Sequence, residues 1–184
     1  MNDRVFDAQH AARLRSPERL ARLRLPDVLR RVLTPGLRVA LDVGTGSGLL
    51  AEALLQAGIP RVIGLDRSPV MLAELRAAVP AVEPLQAPAD AVPLADASVD
   101  LVLAGFVLHE VPDPLAALKE WRRLARRSVA VLEWPHREDG PRPLLAHRLD
   151  PERVQDWARA AGLGEAEAWD GGTVVLWTWT LPEP

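Results

Sequence analysis

The stretch Val39–Gly58, VALDVGTGSGLLAEALLQAG, decides the fold of this chain. Its first five residues predict a buried strand, three closely spaced glycines predict a tight turn, and an amphipathic helix is predicted from about Leu49. Backbone N–H groups at such a turn lack partners, and glycine allows the backbone to approach a ligand closely. A strand, a tight turn and a helix N-terminus in succession therefore indicate a site for an adenosine-containing cofactor.

The spacing of the glycines separates two kinds of cofactor. A dinucleotide site has the pattern G-x-G-x-x-G, but here the third glycine falls one residue early and position 49 is Leu. Asp42 stands two residues before the first glycine, where a carboxylate would repel a pyrophosphate but suits a ligand with an ammonium group. This combination resembles the first motif of class I S-adenosylmethionine-dependent methyltransferases. The resemblance implies cofactor binding by Asp42, Gly44, Thr45, Gly46 and Gly48.

A second landmark follows in the segment VIGLDRSPVML. The short apolar strand Val62–Leu65 ends in Asp66, at the distance from the glycine turn that one helix and one return strand require. A carboxylate at that strand end can accept hydrogen bonds from both hydroxyls of a ribose. Ser68 and Pro69 predict the next helix start. Arg67 and Met71 complete this part of the expected site, with Met71 near the adenine.

The third landmark is the loop Ala87–Asp100, APADAVPLADASVD, which precedes an apolar strand. It is similar to a loop of the same family whose acidic residue contacts the adenine amino group, and Asp90 holds that position. Its neighbours and the end of the next strand complete the implied cofactor set: Ala89, Ala91, Gly105 and Phe106. Taken singly, Asp66 could be a solvated strand end and Asp90 a loop carboxylate in an Asx-turn. The order and spacing of all three landmarks, over roughly residues 35 to 135, favour cofactor binding.

The rest of the chain predicts an α/β fold. Strands are predicted at 38–43, 61–65, 82–86, 99–105 and 128–133, and helices at 48–57, 69–78 and 114–126. Such alternation implies a parallel sheet with helices on both faces. A helix at 151–161 and strands at 165–169 and 173–180 follow, and Asp170-Gly171-Gly172 predicts a hairpin between these strands. This resembles the Rossmann-like class I methyltransferase domain, a mostly parallel seven-stranded sheet with an antiparallel C-terminal hairpin.

Two segments lie outside this alternation. Residues 7–33 read as helical, with a restart at Ser16-Pro17 and a break at Pro26, so a helical cap is predicted at 1–36 and the methyltransferase domain at 37–184, as one structural unit. The segment Trp134–Leu149 has three prolines and predicts an active-site loop or lid. Both segments are expected to flank the acceptor cavity opposite the glycine turn. Arg148 could hold an anionic group bidentately or brace the loop through a carboxylate.

Composition narrows the function. The 184 residues are 48% hydrophobic, which supports a buried core, and no apolar run approaches the roughly 20 residues that span a bilayer. No signal-peptide core is visible, so a cytoplasmic protein is expected. The absence of cysteine removes disulfides, thiolate metal sites and thiol catalysis. His136 and His147 match no known ligand spacing, so no metal is expected.

Charge is uneven along the chain. Residues 1–38 contain nine Arg against four Asp or Glu, whereas the whole chain has a net charge of −3. A basic segment could contact nucleic acid. No aromatic residues alternate with these arginines to stack bases, which favours an arginine-rich helix face lying on the domain and makes nucleic acid an unlikely partner.

The fourth strand leads into candidate catalytic residues. Methyl transfer requires alignment, exclusion of water and sometimes removal of a proton from the acceptor. His109, just beyond the strand end, is the best candidate base, with Glu110 and Glu133 as alternatives. His109 could instead begin a helix and pack against the cofactor edge. The strand end lacks the Asn/Asp-Pro-Pro-aromatic motif of adenine-N6 methyltransferases, and the lack of cysteine argues against C5-pyrimidine methylation.

These features predict an S-adenosylmethionine-dependent methyltransferase acting on a small molecule. The chain resembles the short bacterial methyltransferase type 11 and ubiquinone/menaquinone methyltransferase group, whose acceptors vary widely. Two alternatives remain open at this point: an RNA or protein methyltransferase, and a cofactor-binding module of the same fold that has lost catalysis. The sequence leaves the oligomeric state open.

Overall fold

A seven-stranded sheet organises the computed structural model, which describes residues 14–137 and 144–182. The strands are β1 (Val39–Val43), β2 (Arg61–Asp66), β3 (Glu83–Gln86), β4 (Val99–Gly105), β5 (Ala125–Glu133), β6 (Glu167–Asp170) and β7 (Val175–Thr180). The helices are α1 (Pro17–Leu23), α2 (Leu25–Val32), α3 (Leu49–Gln56), α4 (Pro69–Ala78), α5 (Pro114–Leu124) and α6 (Pro151–Ala160). Short 3₁₀ turns cover Leu108–Glu110 and Leu145–His147.

The strand order is β3-β2-β1-β4-β5-β7-β6. Strands β1 to β5 pair in parallel, and β7 pairs antiparallel with both β5 and β6. The predicted mixed sheet with its C-terminal hairpin is therefore confirmed. The chain moves to opposite sides of β1 in reaching β2 and β4, and such a switch point is where open parallel sheets bind ligands, beyond the carboxyl ends of the strands.

Four helices begin with the same local signal. A Ser or Asp side chain accepts a hydrogen bond from a backbone N–H of the first turn, and proline follows in that turn. The capping residues are Ser16 for α1, Ser68 for α4, Asp113 for α5 and Asp150 for α6. These caps explain why the sequence located the helix starts closely.

Helices cover both faces of the sheet. On one face α2, α3 and α4 pack on the sheet through a buried cluster that includes Val28, Leu54 and Leu75. On the other face α5 and α6 cover a second cluster that includes Trp121 and Trp179, both fully buried. Since the inner strands β1, β2, β4 and β5 are mostly buried, the sheet forms the middle layer of three.

The carboxylate of Asp100 joins three strands at the amino ends of the sheet. Its Oδ2 accepts the backbone N–H groups of Arg38 (2.8 Å) and Val39 (2.9 Å) at the start of β1. Its Oδ1 lies 3.1 Å from Nε of Arg126 in β5. Burial acts to raise the pKa of Asp100, but these contacts outweigh it and hold the pKa below its usual value.

Several boundaries differ from the prediction, among them the start of β7 at Val175 instead of 173. Helix α5 ends at Leu124 and β5 begins at Ala125, although a helix to Arg126 and a strand from Ser128 were expected. In the sequence, Arg126 and Arg127 look like the end of a helix. In the structure, Arg126 contacts Asp100 and Arg127 donates to the carbonyl of Pro35, and both lie at the start of β5. The β6 strand likewise begins two residues later than expected, at Glu167.

The N-terminal helical region divides at Arg24, whose positive φ of 51° separates α1 from α2. The expected helix start near residue 7 lies outside the described residues. Val28 and Val32 of α2 are buried in the same cluster as α3 and α4. The division of the chain at residue 36 stays a prediction. Within 14–137 and 144–182, no helix is long and apolar enough to cross a bilayer.

Candidate functional site

A cavity of about 650 Å³ opens at the carboxyl ends of β1, β2, β4 and β5. This volume is in the range of small-molecule and cofactor pockets. Most of the residues predicted for the site line it: Asp42, Gly44, Thr45, Gly46, Asp66, Arg67, Met71, Ala89, Asp90, Gly105, Phe106, His109 and Glu110. The fold therefore brings residues from all three sequence landmarks and from the fourth strand end to one place.

Two of the residues predicted to bind the cofactor do not line the cavity. Gly48 begins α3 with a φ of 85°, and a Cβ there would lie 2.3 Å from Cδ1 of Leu75. This glycine allows α3 to start close to α4 and so serves packing. Ala91 is exposed, and its N–H donates to the carbonyl of Pro88 at 3.4 Å. The assignment of both residues to cofactor binding finds no support in their positions.

The glycine turn is held by its neighbours. Thr45 donates its backbone N–H to the carbonyl of Leu65 at the end of β2 (2.9 Å). Gly46 has a φ of 53°, which disfavours other residues, and a Cβ there would meet Cδ1 of Leu14 at 2.9 Å. The turn therefore depends on the conformational freedom of glycine.

Asp42 at the end of β1 is buried but not fully hydrogen-bonded. Its Oδ2 accepts from Oγ1 of Thr45 (2.7 Å) and from the backbone N–H of Ala51 in α3 (3.0 Å). Its Oδ1 is buried and has no hydrogen-bond partner. Burial raises the pKa of Asp42 to about 7, although these two hydrogen bonds oppose the shift. A buried carboxylate with one unpaired oxygen in a cavity wall fits a ligand that carries an ammonium group.

Asp66 at the end of β2 connects the strand to the glycine turn. Its Oδ2 accepts the N–H of Gly46 (3.0 Å), and its Oδ1 accepts the N–H of Ser68 (2.9 Å). Burial raises the pKa of Asp66, while these backbone hydrogen bonds act to lower it. Each carboxylate oxygen can accept a further hydrogen bond. Asp66 is thus able to accept from two neighbouring hydroxyls while also positioning the turn.

The loop that carries Asp90 is fixed to α5. The indole N–H of Trp121 donates to the carbonyl of Ala89 (2.8 Å), and a carboxylate oxygen of Glu120 accepts the N–H of Val92 (2.7 Å). Asp90 lies between these anchors, half-buried in the cavity wall. The anchors hold the loop at one edge of the cavity.

His109 lies beside a buried carboxylate. Its Nδ1 is 2.9 Å from both Oε1 and Oε2 of Glu133, and its backbone N–H donates to Oε1 (3.2 Å). The side chain of Glu133 is 2% exposed and that of His109 is 11% exposed. Glu110 is more distant, with Oε1 at 3.8 Å from Nε2 of His109. A carboxylate at Nδ1 favours the proton on that nitrogen and so directs Nε2 toward proton transfer.

This arrangement changes the expectation for Glu133. As an alternative base it would have to reach the cavity, but it does not line the cavity and contacts His109 instead. The sequence placed Glu133 at the end of the fifth strand and His109 beyond the end of the fourth. The structure shows that these two strands are neighbours, and neighbouring parallel strands end at the same edge of a sheet. Their strand-end positions were the one signal in the sequence that pointed to this pairing.

The segments before β1 and after β5 also contribute to the cavity wall. The described part of the first supplies Leu14, Ser16, Glu18, Arg19, Arg22 and Leu23, and the second supplies Trp134, Leu144 and His147. For the first described residues, the expected position opposite the glycine turn is wrong. Nη2 of Arg15 donates to the carbonyl of Ser47 (2.8 Å), and Nη1 pairs with Glu52 of α3 (2.7 Å). This part of the N-terminal segment therefore covers the turn itself.

Arg148 supports the segment after β5 from outside the cavity. Its Nη1 donates to the carbonyls of Pro135 (2.9 Å) and Arg137 (2.7 Å), and the residue is buried. Of the two expected roles, bracing is the one that its position fits, with carbonyl groups among its acceptors. The part of this segment at 138–143 lies outside the described residues. No cluster of three or more potential metal ligands occurs in the part of the chain that is described.

Comparison with known proteins gives a family and several relatives. Residues 41–132 match the family model described as a methyltransferase domain. An uncharacterised methyltransferase of Mycobacterium tuberculosis is 37% identical over 153 residues, which cover 83% of this chain and 56% of the relative. The trans-aconitate 2-methyltransferase of Azoarcus sp. is 36% identical over 149 residues, which cover 78% and 55%. The demethylmenaquinone methyltransferase of Chlorobaculum tepidum is 37% identical over 86 residues, covering 47% and 36%.

The chain spans about half the length of the first two of these relatives. Among solved structures, an S-adenosylmethionine-dependent methyltransferase from Aquifex aeolicus superposes with a TM-score of 0.79 at 24% identity, covering 96% of this chain and all of that one. The [4+2]-cyclase SpnF superposes with a TM-score of 0.71 at 20% identity, covering 89% and 82%. At these identities the structural likeness establishes the fold.

Proposed function

The chain belongs to the methyltransferase-domain family, and on that premise we propose that it is an S-adenosylmethionine-dependent methyltransferase acting on a small organic molecule. One observation carries the proposal. The ends of β1 and β2 place a buried, incompletely hydrogen-bonded Asp42 and the carboxylate of Asp66 in contact with the same glycine turn, in the wall of one cavity.

The part of the cavity at the ends of β1 and β2, which we call the cofactor half, has residues that fit the parts of the cofactor. Asp42 would hold the ammonium group, and Asp66 would accept hydrogen bonds from the ribose hydroxyls. Asp90 would accept from the adenine amino group, and the buried side chain of Met71 would pack near the ring. When bound there, the cofactor supplies a methyl carbon that its sulfonium has already activated.

The other half of the cavity would handle the acceptor. His109 would remove a proton from the attacking group, and Glu133 would orient the imidazole and stabilise its charged form. The N-terminal segment and the segment that begins at Trp134 would limit access of water to the reacting groups. These roles require only that the protein binds and orients the two molecules and that His109 accepts one proton.

A small-molecule acceptor is supported by the relatives and by the basic N-terminal segment. Two of the relatives are named for trans-aconitate and demethylmenaquinone, both small organic molecules. Several arginines of the basic segment contact the rest of the domain: Arg15 pairs with Glu52, Arg24 donates to the carbonyl of Gly171, and Arg31 stacks on Trp169. These contacts leave less of the positive charge available for a nucleic acid.

Calorimetric titration with S-adenosylhomocysteine and, separately, with NAD tests the cofactor. We expect S-adenosylhomocysteine to bind and NAD to give no measurable heat, because Asp42 would repel a pyrophosphate. Tighter binding of NAD would contradict the proposal. Turnover is then measured as S-adenosylhomocysteine formed from S-adenosylmethionine with trans-aconitate or a demethylmenaquinone. Cofactor binding without turnover on either compound would favour a binding module over an enzyme for these acceptors.

A further inference from the structure

Two arginines of α1 line the cavity without a partner for their charge. Arg19 and Arg22 both contribute to the cavity wall. Neither guanidinium has a hydrogen-bond acceptor or a carboxylate partner among residues 14–137 and 144–182. Many other arginines in this part of the chain are paired with acidic side chains: Arg15, Arg24, Arg30, Arg61, Arg123, Arg126, Arg137 and Arg159. The two cavity arginines therefore differ from these eight, whose charge is already paired.

Aromatic rings hold these two side chains in place. The Cζ atom of Arg19 lies 5.1 Å from the ring centroid of Phe106 and 5.6 Å from that of Trp134. The Cζ atom of Arg22 lies 5.2 Å from the ring of Trp134. The two rings contact each other, with centroids 4.2 Å apart. Cation–π contact with a ring face occupies none of the five N–H donors of a guanidinium, so those donors remain available to a ligand.

The charges are held close together at some cost. Burial lowers the pKa of Arg19, and the positive charge of Arg22 lowers it further. Like charges three residues apart on one helix repel each other. An anion between the two guanidinium groups would relieve both effects. A carboxylate suits this position because its two oxygens match the fork of guanidinium donors.

The backbone at Phe106 is unusual for an aromatic residue. Its φ of 58° lies in the left-handed region, although its N–H still donates to the carbonyl of Leu132 (2.8 Å). Non-glycine residues in this region often mark functional positions. At Phe106 the conformation accompanies the placement of the ring beneath Arg19 and against Trp134.

The arginines lie on the side of the cavity where proton transfer is proposed. Phe106 precedes His109 by three residues, and Trp134 directly follows Glu133, so the aromatic pair extends from the ends of β4 and β5. Asp42 and Asp66, in contrast, lie at the ends of β1 and β2. The ammonium site and the arginines are therefore associated with different strands.

We propose that Arg19 and Arg22 bind a carboxylate group of the methyl acceptor and hold it over Phe106 and Trp134 near the His109–Glu133 pair. The proposal rests on the proposed function, since it requires that this cavity binds an acceptor. It assigns the acceptor to the class of organic acids. A second source of the same chemistry is the carboxylate of the cofactor itself, so the test must separate the two.

Calorimetry with a defined organic acid provides the first part of the test. Propane-1,2,3-tricarboxylate is titrated into the full chain saturated with S-adenosylhomocysteine, and its uncharged trimethyl ester is titrated in parallel. We expect the acid to bind, and Arg19→Gln or Arg22→Gln to weaken it by about tenfold or more, because each loses a charge-assisted pair. Arg19→Lys should retain part of the affinity, since it keeps the charge but loses the planar fork.

Arg31→Gln is the matched control. Arg31 also stacks on an indole ring, 4.1 Å from the centroid of Trp169, but it does not line the cavity. This variant should bind the acid like the unmodified chain. Equal affinity of all variants for the acid, equal affinity of the acid and its ester, or no binding of the acid would each overturn the proposal.

The second part uses the cofactor products. S-adenosylhomocysteine has an amino-acid carboxylate, whereas 5′-methylthioadenosine lacks it. We expect both to bind Arg19→Gln and Arg22→Gln as they bind the unmodified chain. If the variants lose affinity for S-adenosylhomocysteine but not for 5′-methylthioadenosine, the arginines bind the carboxylate of the cofactor, and the proposal is overturned. If the unmodified chain fails to bind S-adenosylhomocysteine, the proposed function fails, whereas titration of the acid into the ligand-free chain still tests the arginine pair.

Discussion

The two halves of the cavity are constructed in different ways. The half at β1 and β2 is centred on one β–α–β unit, in which Asp42 and Asp66 bind backbone N–H groups of the turn and helix starts. The half at β4 and β5 is assembled from three distant segments that supply Arg19, His109 and Glu133. In the first half, local backbone geometry positions the functional groups. In the second, contacts between side chains position them.

This difference has consequences for what substitutions should do. A carboxylate bound to backbone N–H groups keeps those partners when the donor residue is substituted by any residue other than proline. A side-chain pair such as His109 and Glu133 depends on both members, so loss of either one should alter the geometry of the other. We therefore expect substitutions in the acceptor half to reduce turnover without reducing affinity for the cofactor. Substitutions in the cofactor half should reduce that affinity directly.

The largest expected effect tests the acceptor half. His109→Gln should reduce turnover by about 100- to 10,000-fold, the usual contribution of a general base. Glu133→Gln should reduce turnover in the same direction, because the imidazole loses the carboxylate at Nδ1. Both variants should bind S-adenosylhomocysteine with an affinity within about twofold of that of the unmodified chain, because neither His109 nor Glu133 belongs to the cofactor half.

His147→Gln is the control for these variants, because His147 also lines the cavity and is exposed. It should turn over normally. A parallel loss of turnover and cofactor affinity in His109→Gln would mean that the histidine supports the cofactor edge, and the contrast between the two halves would fail.

A smaller effect is expected in the cofactor half. Asp66→Ala should weaken S-adenosylhomocysteine binding by about 1–3 kcal/mol, because the ribose hydroxyls lose a charged acceptor and the N–H of Gly46 loses its partner. Asp170→Ala is the matched control. Asp170 also ends a strand and accepts the N–H two residues later (2.8 Å, from Gly172), but it lies outside the cavity. If Asp66→Ala binds S-adenosylhomocysteine with unchanged affinity, Asp66 has only a structural role at the end of β2.

The smallest expected effect is a pH dependence of cofactor binding. Since burial raises the pKa of Asp42 to about 7, this carboxyl is largely protonated in the ligand-free protein at pH 6 and ionised at pH 8. Pairing with an ammonium group requires the ionised form, so binding should tighten by up to about tenfold from pH 6 to pH 8 and release a proton at the lower pH. Calorimetry in buffers of different ionisation enthalpy measures that proton.

Asp42→Asn is the control for this linkage, because it cannot ionise. Its affinity should vary little over the same pH range. The raised pKa also means that the folded protein binds a proton that the unfolded chain releases above its ordinary carboxyl pKa. The contribution of Asp42 to stability therefore falls as pH rises toward 7. A ligand-free Asp42→Asn protein should lose less stability over that interval, which thermal unfolding would measure.

The same contrast explains what the sequence could predict. The alternation of strands and helices, the hairpin and the helix starts followed from local signals such as Ser68-Pro69 and Asp150-Pro151, and the fold was confirmed. The positions of Asp42 and Asp66 in the cavity wall could be predicted because each follows a strand next to the glycine turn. Gly48 was assigned to the cofactor because a glycine required for packing against Leu75 looks the same in sequence.

Long-range contacts set the limit of prediction. The stacking of Arg19 on Phe106 and Trp134 joins three segments, and no periodicity or spacing relates them. The early start of β5 was missed because Arg126 and Arg127 resemble an exposed helix end until Asp100 and Pro35 are placed beside them. In each case the decisive partner is far away along the chain.

Asp100 has a consequence for how ligands enter and leave. Its contacts with Arg38, Val39 and Arg126 fix β1, β4 and β5 to one another at the end of the sheet remote from the cavity. Strands held in this way cannot slide past each other without breaking several hydrogen bonds at once. We therefore expect any opening of the molecule to come from the segments that cover the carboxyl ends, while the sheet keeps its geometry. Exchange of ligands would accordingly be limited by the mobility of that covering layer, and the alignment of the reacting groups would be restored each time it closes.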